Sequence, residues 1–278
     1  MKRNAIVPLM LGLFTFIACE EVVELDEAQT PTKIVVEGII NNVDSVQEIN
    51  LSETTGFYDE GTPPRVRNAD VVVADDAGNS YTFVEDEVFS GRYTANFTGM
   101  AGRTYNLEVT LDNGEVFTAT DQMPPVQDID TLIYEVDEDE FEDPEEEGYY
   151  YTVKIFGPEP QDRKDYYLFK FYRNEEIERF DSETGLFFAD DELLGPYIFG
   201  LEAPVFYAEG DTATFEMYAM SRDAYLYYND LSNVLNGDGG LFGPSPTNPR
   251  SNINNANDLG LGFFQASALE REQVIVGE

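Results

Sequence analysis

The single cysteine of this 278-residue chain, Cys19, ends an apolar N-terminal segment, and no histidine occurs anywhere. Lys2 and Arg3 precede Ile6, Val7, Leu9, Met10, Leu11, Leu13, Phe14 and Phe16, and the segment closes on Phe16-Ile17-Ala18-Cys19. A basic start, a short apolar run and a small residue just before a cysteine describe a lipoprotein signal peptide over residues 1–18, with Phe16 where leucine is usual. The chemistry implied is alkylation of Cys19 Sγ by a diacylglycerol, cleavage before the cysteine, and acylation of its new amino group. The run is too short to span a bilayer, so the chain is expected to be anchored rather than threaded. The alternative is a secretory peptide in which the cysteine is incidental. Cleavage removes two basic residues and no acid from a chain whose net charge is already -39 at pH 7.

Without histidine there is no Ser-His-Asp triad, no Cys-His dyad, no HExxH zinc site and no imidazole base. The lysines follow no phosphate-binding glycine loop, and GxSxG is absent. Glycoside hydrolysis needs only two positioned carboxylates. It therefore stays open, although among 55 Asp and Glu no pair is singled out by spacing. The acidic run at 137–147 offers Asp137, Asp139, Glu142 and Asp143 as candidate oxygen ligands. No cofactor is implied, and calcium is the one ion these residues suggest. The spacing is not that of an EF-hand and the central glycine is missing, so the alternative is a solvated hairpin tip. Clustered basic residues are also lacking, which argues against nucleic acid as a partner. The field of the chain would attract basic surfaces or divalent cations, or it serves solubility alone.

The elements that must carry these groups are mainly strands. After an acidic tether at 19–32, strand patterns recur at 33–40, 69–74, 81–83, 93–97, 105–111 and 116–119. Tyr105, Leu107, Val109 and Leu111 alternate with polar residues, and Asn113-Gly114 is a strong hairpin signal. Met123-Pro124-Pro125 interrupts the pattern, because consecutive prolines cannot donate to a ladder. Further strands are expected at 131–136, 149–156, 166–172, 205–207 and 212–220. One helix is expected from Ser221, a plausible N-cap, to residue 235. The fold class is therefore all-β, with two β-sandwich-like domains. The first, at 33–123, is immunoglobulin- or transthyretin-like. The second, at 124–278, has one short helix and a long C-terminal loop.

Tyr149-Tyr150-Tyr151 and Tyr166-Tyr167 place aromatics on both faces of their strands, so one face must meet another domain, a ligand or a partner. The loop at 237–257 is longer than a connection needs, and with Phe242, Phe263 and Phe264 it forms the candidate partner-binding surface, the alternative being a packed connection that covers the sheet edge.

The order of several landmarks carries a family resemblance. They are Ile34-Val35-Val36-Glu37-Gly38, Asn68-Ala69-Asp70-Val71-Val72-Val73, Gly91-Arg92-Tyr93 and Ala101-Gly102-Arg103-Thr104-Tyr105-Asn106-Leu107. They continue through Tyr225-Leu226-Tyr227-Tyr228, Asn252-Ile253 and Leu259-Gly260-Leu261-Gly262-Phe263-Phe264. The chain resembles the Bacteroidota lipoprotein family of domain of unknown function 4249. That resemblance implies an outer-membrane lipoprotein, associated with a TonB-dependent barrel or another surface lipoprotein, and it brings no established catalytic residues to carry over. Glu20 and Glu21, directly after the lipidated cysteine, then resemble a signal for export to the cell exterior. The resulting expectation is a non-enzymatic accessory lipoprotein of a TonB-dependent transporter. The alternatives are a divalent-cation-dependent adhesive or structural surface module and, weakest, a carboxylate-dependent glycan hydrolase.

Overall fold

The computed structural model describes residues 31–56, 61–142, 146–177, 185–236 and 247–277, nearly all of them in one compact unit, Thr32–Glu278. Seven strands come first: β1 (Ile34–Asn41), β2 (Ser45–Glu53), β3 (Asp70–Asp75), β4 (Ser80–Glu85), β5 (Arg92–Phe97), β6 (Thr104–Thr110) and β7 (Val116–Gln122). Next are β8 (Thr131–Val136), the short helix α1 (Glu138–Glu142), β9 (Tyr151–Pro158), β10 (Tyr166–Arg173), β11 (Glu176–Ile177), β12 (Phe187–Asp190), β13 (Tyr197–Glu202) and β14 (Thr212–Ala219). Helix α2 (Arg222–Leu235) precedes β15 (Asn254–Asn255), β16 (Gly260–Ser267) and β17 (Leu269–Ile275). The chain is all-β in class, as its alternation predicts.

Period-two patterning explains the first sheet. Val36 and Ile40 of β1, Tyr105, Leu107 and Val109 of β6, and Phe117 and Ala119 of β7 all point into one core. Strand β2 escapes a reading of hydrophobic alternation because Gln47 holds one of its inward positions. It is 1% exposed there, donating to Phe97 O at 3.0 Å and accepting from Asn41 N at 2.9 Å. A buried amide is tolerated only because such partners replace water.

The nine-stranded order is β15-β7-β6-β3-β4-β5-β2-β1-β16. Strand β16 is drawn from far along the chain and pairs parallel with β1, with Ile34 opposite Gly260 and Asn41 opposite Ser267. It supplies Phe264 and Ala266 to the core of the first sheet. The expected boundary at 124 therefore does not separate the two sets of strands. A fragment ending at 123 would expose one edge of β1 and lose Phe264, whose burial contributes about 3 kcal/mol. Sequence patterning reports which residues are buried but not which distant strand buries them.

In the second half, β11, β10, β14 and β17 form one sheet, with β12 also pairing with β10, and β13, β9 and β8 form another. Phe169, Phe171 and Phe215 from the first meet Val153, Ile155 and Ile198 from the second in a separate core. Residues 205–207, expected as a strand, make only an isolated bridge between Tyr207 and Tyr151. Helix α2 begins as its sequence suggests, with Ser221 accepting from Ala224 N at 3.2 Å. A third cluster joins Ala224, Tyr225 and Tyr227 of α2 to Leu168, Tyr218 and Phe263, so the helix packs on strands of both halves.

The free edge of β16 meets β7 through side chains. Asn252 donates to Phe264 O at 2.7 Å and accepts from Phe264 N at 3.0 Å, and Asp121 Oδ2 accepts from Ala266 N at 2.9 Å. Asp121 also receives a hydrogen bond from Ser221, the cap of α2, and burial pushes its carboxyl up to about 6. Because the folded chain holds this proton more tightly than the unfolded chain, Asp121 contributes stability below pH 4 that is lost as pH rises from about 4 to 6. The loss is about 3 kcal/mol. Asp121→Asn should remove that contribution to the pH dependence, as urea unfolding at pH 4.5 and 7.5 would read. Equal pH dependence in the native chain and the variant would contradict the assignment.

Candidate functional site

Cys19, Glu20, Glu21, Asp143 and Phe242 lie outside the described residues. The acidic run connects β8 to β9, whose ends pair at Val136 and Tyr151. Asp137 Oδ1 accepts from the amides of Asp139 and Glu140 at 3.0 Å each, so it starts α1. Asp139 and Glu142 are exposed. Among the described residues, no group of three or more Asp, Glu, Cys or His is placed to hold a metal ion.

Phe263 and Phe264 are 5% and 0% exposed. Phe263 stacks on Tyr227 with ring centroids 5.0 Å apart, and Phe264 belongs to the core of the first sheet. Neither can meet a partner, which corrects their expected role. An apolar run within a buried strand resembles an exposed anchor until its covering elements are known. The tyrosine clusters are also engaged internally. Tyr149 lies under Arg173, Tyr150 meets Phe141, Tyr151 meets Tyr134, and Tyr166 packs on Tyr225 of α2.

Among the described residues, one buried pair of carboxylates comes together. Glu159 and Asp165 flank the Tyr167 hydroxyl, which donates to Glu159 Oε2 at 2.8 Å and lies 3.4 Å from Asp165 Oδ2. Arg163 Nε lies 2.8 Å from both oxygens of Asp165, and burial raises the Glu159 carboxyl above the usual range. Both acids are nearly inaccessible, at 3% and 6% exposure. A glycosidase pair must reach opposite sides of a sugar, whereas these groups fasten the turn between β9 and β10. An apolar cavity of about 180 Å³ lies beside α2, lined by Val35, Tyr227, Leu231, Pro249 and Leu261. It is smaller than the usual range for small-molecule sites.

Among the described residues, the most exposed large apolar side chain is Phe199, at 84%, on the outward face of the β13-β9-β8 sheet. Its register partner is Phe156, whose ring stands edge-on at 5.3 Å. Ile133, 47% exposed, lies on the same face opposite Lys154. A register shift between Phe199 and Leu201 explains the placement. Gly200, at φ +70°, takes up the extra residue, so Ile198 and Leu201 both turn inward while Phe199 stays outside. The polar groups on this face are already engaged. Tyr197 donates to Asp130 Oδ2 at 2.8 Å, Thr152 donates to Glu202 Oε1 at 3.1 Å, and Lys154 pairs with Glu135. The face thus offers aromatic rings and spare carboxylate oxygens, and its hydrogen-bond donors are occupied. Sequence reasoning missed it. Tyr197-Ile198-Phe199-Gly200-Leu201 reads as an ordinary buried run, and only its glycine hints at a change of phase.

A family model described as "Domain of unknown function (DUF4249)" matches residues 20–273. No curated protein matches the chain. Among solved structures, a DUF4785 family protein from Legionella pneumophila subsp. pneumophila is similar at 7% identity with a TM-score of 0.24. The alignment covers 67% of this chain and 52% of that one, so this chain spans about half of the other's length. A likeness at that level carries no argument about fold or activity.

Proposed function

The chain belongs to the family of domain of unknown function DUF4249, and on that premise we propose that it is a lipoprotein anchored in the outer membrane through Cys19, facing the cell exterior. Its folded part serves as a non-catalytic accessory of a TonB-dependent transporter, binding either the barrel or the barrel's substrate. The observation that carries this reading is the position of Cys19, after a basic start and an apolar run and directly before Glu20 and Glu21. An acyl anchor holds the chain at a membrane surface without a spanning helix, and among the described residues no helix is long and apolar enough to span. The buried setting of Glu159 and Asp165 lends no support to carboxylate catalysis. A surface role for the β13 face is consistent with Phe199 remaining in solvent.

The test is affinity purification of the tagged full chain from detergent-solubilised outer membranes. A TonB-dependent barrel is expected in near-equal amount, retained through a wash that removes peripheral proteins. Recovery of the lipoprotein without any barrel, in several mild detergents, would count against the transporter assignment.

A further inference from the structure

We propose that the outward face of the β13-β9-β8 sheet binds a basic, extended segment of a partner protein, with arginine or lysine side chains stacked on Phe199 and Phe156. Exposure of one aromatic ring is common, but this one is fixed on a sheet beside a second ring. Aromatic faces attract cations, arginine above all. The same face carries Asp130, bonded by Tyr197, and Glu202, opposite Lys154 in the register, while Lys154, the only base presented by the three strands on this face, is already paired with Glu135.

The chemistry selects among occupants. A glycan needs donors as well as acceptors, and the hydroxyls of Tyr197 and Thr152 are both committed to carboxylates. A second copy of this chain would bring a net charge of -39 against -39, and like charges facing each other oppose association. Anionic lipid is repelled for the same reason. The bulge at Gly200 breaks the regular repeat of β13, an edge strand, which disfavours simple strand addition. A cationic segment lying across the face satisfies both the rings and the spare carboxylate oxygens. This inference does not depend on the anchor or on the transporter, because it concerns only the surface of the folded part.

The experiment uses the full chain in neutral detergent and a fluorescent peptide of alternating arginine and valine, with its glutamate–valine counterpart as control. The arginine peptide should bind and the glutamate peptide should not, and added salt should weaken binding. Phe199→Ala should weaken it about tenfold, with the unfolding midpoint unchanged because the ring is in solvent. Phe89→Ala, which removes an exposed ring elsewhere, should leave affinity unchanged. Equal affinity of the native chain and Phe199→Ala for the arginine peptide would overturn the proposal. So would a Phe199-dependent association with phosphatidylcholine vesicles, or a Phe199-dependent dimer in sedimentation, in the absence of peptide binding.

Discussion

Gly262→Ala is expected to destabilise the fold by about 4 kcal/mol or more, a large share of the stability of a typical domain. Gly262 sits in β16 at φ +88°, a conformation that L side chains rarely adopt. An added Cβ would fall 2.2 Å from Val36 O and 2.9 Å from Val36 C, both in the main chain of β1. Backbone atoms cannot swing aside as the end of a flexible side chain can. Relief therefore requires β1 and β16 to part, and with them the ladder around the Val36–Gly262 pair. Parting would also loosen Val36 and Phe264, both at 0% exposure. The proper control is Gly114→Ala, at φ +83° in a turn where an added Cβ meets nothing within 4 Å. Conformational strain alone should cost that variant about 1 kcal/mol. Urea unfolding followed by tyrosine fluorescence would measure both. If the two variants lost equal stability, the close parallel approach of β16 to β1 would be wrong.

Cys19→Ser is expected to have the largest effect on location. The thioether to diacylglycerol requires the thiol, and a serine hydroxyl in its place leaves the signal segment uncleaved or releases the chain. Each buried methylene of an acyl chain contributes about 0.8 kcal/mol, so losing the anchor should abolish membrane retention after washing. Electrostatics will not compensate, because a chain of net charge -39 is repelled by anionic lipid. The measurement is the fraction of chain sedimenting with membranes after a high-salt wash, together with the mass of the N-terminal peptide. A serine variant that sediments like the native chain would remove the lipid anchor from the account. Such a result would leave the peptide-binding proposal for the Phe199 face intact.

Local signals were reliable where a short stretch of chain contains its own physical cause. Asn113-Gly114 places a tight turn between β6 and β7, with Gly114 at positive φ and Thr110 opposite Val116. Ser221 caps α2 because its hydroxyl can reach the amide of Ala224. Alternation in residues 105–109 assigns one face to the core. Strand β2 was missed because an inward glutamine breaks the apolar pattern, and its partners on Asn41 and Phe97 are supplied by other strands. Asp121 shows the same limitation. Its inward position on β7 reads as a polar interruption until Ala266 and Ser221 are seen to donate to it.

By itself, then, the sequence established the all-β class, the turn and cap positions, the acidity, the absence of imidazole chemistry and the candidate lipidation of Cys19. These follow from composition and from interactions within a few residues. Only the tertiary structure decided that β16 returns to β1, that Phe263 and Phe264 are buried, and that Glu159 and Asp165 are buried together beside Tyr167. It also decided that Phe199 remains in solvent, because the shift at Gly200 sends its neighbours inward. Hydrophobicity states a demand for burial, but which demand is met depends on pairing between distant strands, where a shift of one residue exchanges the inner face for the outer.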